Sequence, residues 1–339
     1  MGDDSGGTRL LRYAIYIIVP IVAICFSLSL GRYDIPVVTV FKILLSPFTS
    51  VSQTWPPVMN KVIFDVRLPR VIAAMLVGAG LAISGAAFQG LFRNPLVSPY
   101  ILGVSAGAGF GAALAILLSR TVIIIQLWAF VFGLMSVGIA YGISRVHRQP
   151  SDVVLVLAGV IVGAFFTALI SFIKYIADPY EKLPAIVFWL MGSFAAVNTR
   201  QLLTLVLPIV AAIIVLLLIR WRINSLSLGD EEAESLGVNT RRLKAVVIVC
   251  ATLITAASVA LCGIIGWVGL VIPHVGRMLV GPDHARLLPI CLLLGGVYLL
   301  MVDNLARTLT TAEIPVGILT AIIGAPFFAY LLCRRDVGW

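Results

Sequence analysis

The chain has 339 residues, of which 60% are hydrophobic and only 12% charged, with a mean hydropathy of +1.09. A soluble domain is about half apolar and one quarter charged, so an aqueous fold cannot hide this much apolar surface, and the chain reads as an integral membrane protein. The net charge of +9 comes from 24 Lys and Arg against 15 Asp and Glu. Most of the basic residues flank apolar runs, where they set orientation in a bilayer, and no basic patch interleaved with aromatics marks a nucleic-acid surface.

A helix needs about 20 residues to cross the hydrocarbon core. In chain order the expected spans are 13–31, 71–92, 97–118, 121–144, 153–173, 201–219, 245–265, 268–280, 287–304 and 314–333. The N-terminal stretch MGDDSGGTRLLRY is not read as a signal peptide, because the apolar segment after it is long enough to span and no cleavage site is evident. The run 183–199 follows Pro179 and Pro184 and is short, which predicts a partial helix outside the bilayer. The run 245–276 would make one helix about 48 Å long, well beyond a core of about 30 Å. Gly263, Gly266, Gly269 and Pro273 lie inside that run, so it is divided into two spans.

Charge supports both decisions. With the N-terminus inside, Arg9, Arg12, Arg93, Arg145, Arg148, Arg277, Arg286, Arg334 and Arg335 fall in inner loops, as does the basic segment 220–244. The positive-inside bias then gives about ten transmembrane helices with both termini cytoplasmic, one membrane domain over 1–339. Glycines recur every four residues at Gly103, Gly107 and Gly111, at Gly138 and Gly142, and at Gly159 and Gly163. That spacing predicts close helix packing.

Enzyme signatures are missing. There is no HExxH, no GxSxG and no GK pair for a phosphate-binding loop, and no span carries an Asp, Glu or His relay. Cys25, Cys250, Cys262, Cys291 and Cys333 form no CxxC and read as reduced apolar residues, while His147, His274 and His284 lack metal-ligand spacing. No catalytic, cofactor or metal site is expected.

Three polar segments stand out. In 224–240, Asp230, Glu231 and Glu232 suit the first turn of a short helix and Gly237 suits the position after its last turn. Ala233 and Leu236 then share a face that can touch a partner. Arg67 and Arg70 bracket Leu-Pro before the second span, and Arg307 lies four residues after Asp303, a spacing that allows an ion pair. These outer arginines either snorkel or hold an acidic partner bidentately. The loop LFRNPLVSPY carries Pro95 and Pro99, which bias Asn94 and Ser98 to extended backbone and make a stiff tip.

Several stretches, in order, carry a family resemblance: RLPR at 67–70, GAGLAISGAAFQGLFRNPL at 78–96, LGVSAGAG at 102–109, SLSLGDEEAESLGV at 225–238, GIIGWVGLVIPHVGR at 263–277, DNLAR at 303–307 and EIPVGILTAIIGAPFF at 313–328. With them the chain resembles the permease subunit of type II ABC importers, the FecCD-like family of iron–siderophore, haem and vitamin B12 uptake. The resemblance implies an all-α permease fold in a prokaryotic cytoplasmic membrane. It implies a homodimeric pathway, two ATP-binding-cassette ATPase subunits below and a periplasmic or lipoprotein substrate-binding protein above. It places cytoplasmic gates at Asn94 and Leu96 and at Ser151, Asp152 and Val153. It assigns ATPase coupling to Leu226, Leu228, Gly229, Asp230, Ala233, Leu236 and Gly237, and binding-protein docking to Arg67, Arg70 and Arg307. His274 falls in the family's PH motif and reads as structural. The cargo expected first is an iron–siderophore, then haem, cobalamin, or molybdate or tungstate. The alternative function is an ion-coupled secondary transporter, which would place an ion site at the helix break near Gly266.

Overall fold

A computed structural model describes residues 6–31, 33–49, 52–118, 121–146 and 152–333, and among them every regular element is helical. Ser151, His147, Arg148, Arg334 and Arg335 lie outside the described residues. In chain order the helices are α1 (Gly6–Ser29), α2 (Val37–Leu45), α3 (Pro57–Lys61), α4 (Leu68–Leu91), α5 (Val104–Leu118), α6 (Val122–Val146) and α7 (Asp152–Ile176). There follow α8 (Lys182–Leu190), α9 (Thr199–Leu226), α10 (Asp230–Ser235), α11 (Thr240–Cys262), α12 (Val268–Val280), α13 (His284–Thr308) and α14 (Val316–Cys333). Among the described residues six helical stretches are long and apolar enough to cross a bilayer by length and composition, and four shorter apolar helices accompany them.

A π-helical turn at Val62–Arg67 joins α3 to α4, and the N–H of Leu68 bonds to the carbonyl of Ile63, five residues back. Pro69 follows at once. Its ring excludes the carbonyl four residues earlier and it brings no N–H, so a wider turn is the local solution. Neither α2 nor α3 is anticipated by the span reading. The signal for α2 was present but short: Pro36 precedes it, Val40 and Ile43 face inward, and Lys42 stands at its C-terminal end.

The bundle is organised around α4 and α11. The apolar windows of these helices are 83% and 78% buried, against 28% for α6. Small residues make the burial possible. A methyl on Gly78 would overlap the Gly295 carbonyl of α13, and one on Gly85 would overlap the Gly269 carbonyl of α12. Gly107 and Gly111 of α5 abut the backbone of Phe132 and Trp128 in α6, and Gly159 abuts Ile101 and Leu102. Gly138 and Gly142 differ: within this chain both face open space, so they pack against none of its helices. The outward faces of α6, α7 and α9 are apolar, with Leu127, Val131, Phe165, Phe172, Leu207 and Leu218 exposed. Apolar faces of this kind suit lipid or a second apolar surface.

The run 245–276 is two helices. Helix α11 ends at Cys262, and α12 begins at Val268 after Trp267, which takes a left-handed conformation. The carbonyls released at this break have internal donors: Ser193 N–H bonds to Cys262 O at 2.7 Å, and Tyr100 Oη donates to Ile265 O at 2.5 Å. Val316 N–H, at the start of α14, bonds to Gly192 O at 2.9 Å beside it.

Candidate functional site

At one end of the bundle lie the α4–α5 loop, the start of α7 and the α9–α11 connection. Helix α4 stops at Leu91, and Arg93 turns the chain with a left-handed φ of 50°. Asn94 Oδ1 accepts from the N–H of Leu96 at 2.9 Å, and Gln89 Nε2 holds Val97 O at 3.2 Å. These bonds fold the tip tightly and leave Leu96 exposed. Helix α5 starts only at Val104, later than the span read from 97, because Pro95 and Pro99 keep their predecessors extended.

Helix α9 runs on to Leu226, through Arg220 and Arg222. Gly229, at φ 120°, turns the chain into α10 with Asp230, Glu231 and Glu232 in its first turn. The far end closes as a Schellman motif: Val238 N–H bonds to Ala233 O, Gly237 N–H bonds to Glu234 O, and Gly237 has φ +81°. Thr240 Oγ1 donates to Glu234 Oε1 at 2.6 Å, which fastens α10 to the start of α11. Ala233 and Leu236 do not share an outward face. Ala233 is fully covered at 0% exposure, whereas Leu236 is 65% exposed. The correction has a simple cause: α10 lies against α9 and α11, so the methyl between them is used for internal packing. Leu226 and Gly229 are also buried, and Leu228 and Leu236 form the outward apolar surface.

Asp152 opens α7, and Val153 beside it is exposed. The residue that unites this end was missed from sequence. Lys244 of α11 places Nζ 2.8 Å from Asp152 Oδ2 and 2.7 Å from Asp230 Oδ2. Arg93 adjoins the same region, since a methyl on Gly229 would lie 3.6 Å from its Nη1. Nearby, Asp283 caps α13 through Ala285 N–H and accepts from Asn224 Nδ2 at 2.6 Å, and Asn224 Oδ1 in turn accepts from the N–H of His284 at 2.8 Å. The bond from Asn224 holds the Asp283 carboxyl below its ordinary range.

At the opposite end the three expected arginines converge, but inward. Arg67, Arg70 and Arg307 are all buried. Arg67 Nη1 donates to Leu28 O at 2.6 Å and to Ser29 O at 3.0 Å, and its Nη2 donates to Tyr33 O. Arg307 donates to Leu30 O at 3.1 Å, to Ser27 O and to Asn304 Oδ1. Two guanidiniums thus satisfy the carbonyls that α1 leaves open at its C-terminus, where the helix dipole favours cations. Arg70 binds Asp303 through Nε and Nη2 at 2.9–3.2 Å, and Glu313 through Nη1 at 2.9–3.1 Å. These contacts correct the picture of guanidiniums snorkelling at the surface. They also replace the expected Asp303–Arg307 pair, because Asp303 is taken by Arg70. His274 is buried, edge-on to the Phe328 ring at 6.3 Å.

Comparison with known proteins adds the context. Residues 18–334 match the profile of the FecCD transport family. The chain is 45% identical over 318 residues to the molybdate import system permease protein MolB of Haemophilus influenzae, a match covering 94% of each. It is 43% identical over 276 residues to a Helicobacter pylori protein named Probable iron chelatin transport system permease protein, covering 81% of this chain and 83% of that one. Among solved structures, an inward-facing conformation of a transporter assigned to the metal-chelate ABC type aligns with a TM-score of 0.83 and 44% identity, over 94% of this chain and 97% of the other.

Proposed function

This chain belongs to the FecCD transport family, and from that premise we propose that two copies of it enclose a pathway for a metal-containing cargo, opened and closed by ATPases that seat on α10. The chain is the permease subunit of an ATP-binding-cassette importer in the cytoplasmic membrane, not an enzyme; its relatives are named as permease proteins. The observation that carries the docking role is the pairing of exposed Leu228 and Leu236 around a short helix fastened to α9 and α11. Exposed leucines flanking an acidic helix at both ends suit the apolar floor of a partner's groove.

The gates are assigned to the tip at Asn94 and Leu96 and to Ser151, Asp152 and Val153, of which Asp152 and Val153 open α7. What supports the first gate is the Asn94 turn that holds Leu96 outward. The coupling segment keeps its seven residues with divided roles: Leu226, Gly229 and Ala233 seat the segment on its own chain, while Leu228, Asp230, Leu236 and Gly237 face out. The binding protein is assigned to the arginine end. Because Arg67, Arg70 and Arg307 already have partners, docking there proceeds by exchange, an acidic side chain of the binding protein replacing Glu313 on Arg70. Glu313 suits that exchange at 27% side-chain exposure.

For the cargo, two readings each have support. Identity to the molybdate permease protein favours an oxyanion, and identity to the iron chelatin permease protein favours an iron–siderophore. The ion-coupled alternative has no observation in its favour, and the carbonyls of Cys262 and Ile265 at its candidate break are already bonded. The test is purification from native membranes in mild detergent with mass-spectrometric stoichiometry. One ATPase per permease chain is the expected result, and a stable, intact permease with no ATPase overturns the reading. Uptake of molybdate or of ferric siderophore into vesicles loaded with ATP then separates the two cargoes.

A further inference from the structure

We propose that Lys244 is the positioning residue that carries movement of α10 to the start of α7, so that the ATPase docking segment drives the second gate through one side chain. The inference rests on the reading of α10 as the docking segment and of Asp152–Val153 as a gate. Asp152 and Asp230 come from elements far apart in sequence, yet both carboxylates lie within 3 Å of one ammonium nitrogen. The ammonium is a compact point charge with three donors, so it can hold two carboxylates at once. The side chains of Lys244, Asp152 and Asp230 are 15%, 28% and 48% exposed, so the joint is sheltered at its centre and wet at the α10 edge.

Without the cation the geometry changes sign. Two carboxylates within roughly 6 Å of each other repel, and an attraction that draws α10 toward α7 becomes a force that parts them. Of the arginines around the joint, Arg145 is bonded through Nε to Tyr141 Oη at 3.2 Å, while Arg241 lines the same cavity and Arg93 adjoins Gly229. A cavity of about 310 Å³ lies beside the three residues, bounded by Tyr141, Leu155, Thr240 and Ile248. The Thr240–Glu234 bond fixes α10 to the same end of α11, so Lys244 stands between a helix that a partner can grip and the first residue of α7.

The experiment uses the assembled importer in proteoliposomes, with a spin label on a cysteine at exposed Leu157, one turn into α7, and with Cys25 and Cys333 replaced. ATP hydrolysis, cargo uptake and the nucleotide-dependent displacement of the label are measured together. Lys244→Met is expected to assemble with the ATPase and hydrolyse ATP. Uptake per ATP falls about tenfold, the scale of losing a charge-assisted pair, and the label stops responding to nucleotide. Lys244→Arg is expected to restore both. Asp152→Asn breaks the joint from the other side and carries the same test if Lys244→Met does not fold. Wild-type uptake per ATP together with a normal label response in these variants overturns the proposal. Failure of the underlying reading is visible separately, as loss of ATPase assembly or of label movement in the parent protein with Lys244 intact.

Discussion

Replacing Arg70 with methionine removes the cation that two carboxylates share, and the structure sets the scale of the loss. Asp303 is fully buried and accepts three hydrogen bonds from Arg70, two from Nε and one from Nη2, and Glu313 accepts two more from Nη1. Removing one partner of a buried ion pair costs about 3–5 kcal/mol, because the other charge is stranded. Two features move the expectation to the low end. Glu313 can turn to water at 27% side-chain exposure, and Arg307 lies close enough to act on Asp303. We therefore expect Arg70→Met to lose about 3 kcal/mol, read by denaturant unfolding in detergent micelles through tryptophan fluorescence. The double variant Arg70→Met/Asp303→Leu removes the stranded charge as well and should return to within about 1 kcal/mol of the parent. A loss below about 1 kcal/mol for the single variant, or a double variant no better than the single, refutes the claim that this cluster clamps α4 to α13 and the Glu313 loop.

Leu236→Asp should abolish transport and ATPase co-purification while leaving membrane insertion and melting unchanged, since the side chain is exposed. Leu226→Ala, ten residues earlier and buried, should instead lower stability by about 2–5 kcal/mol. Gly85→Ala drives a methyl into the Gly269 carbonyl and should cost at least about 1–3 kcal/mol, whereas Gly138→Ala meets open space inside a helix and should raise stability by about 0.5–1 kcal/mol. Comparing the two by thermal unfolding tests the packing account directly. Asp283→Ala removes the cap of α13 and should cost about 1 kcal/mol. Because the folded carboxyl is held below its usual value, that contribution is present above the unfolded value of about 3.9 and fades as pH falls through the folded one. A parent-minus-variant difference that grows on acidification contradicts this.

Much of the framework was legible because it is written in local pattern. Glycines inside an apolar run too long for one crossing marked the break between α11 and α12, and Gly237 after three acids marked the end of α10. What escaped was either short or distant. Helix α2 is too brief to register as a span, and its inward pair, Val40 and Ile43, carries little periodic signal. The partners of Arg70 lie 233 and 243 residues away and those of Lys244 92 and 14, so no local pattern could pair them. Glycine spacing showed which faces permit close approach but not which faces are used: Gly107 and Gly111 are covered, and Gly138 and Gly142 are open.

The interruption between α11 and α12 is a weld. A broken helix usually supplies a bending point, since its unbonded backbone can change partners. Here Cys262 is tied to Ser193, Ile265 to Tyr100, and the adjacent Gly192 to the first turn of α14, while Gly317 seats against the carbonyls of Met191 and Ile264. Segments from four parts of the sequence are thereby cross-braced at one point inside the bundle. A junction braced on several sides in this way is expected to move as one body rather than to bend.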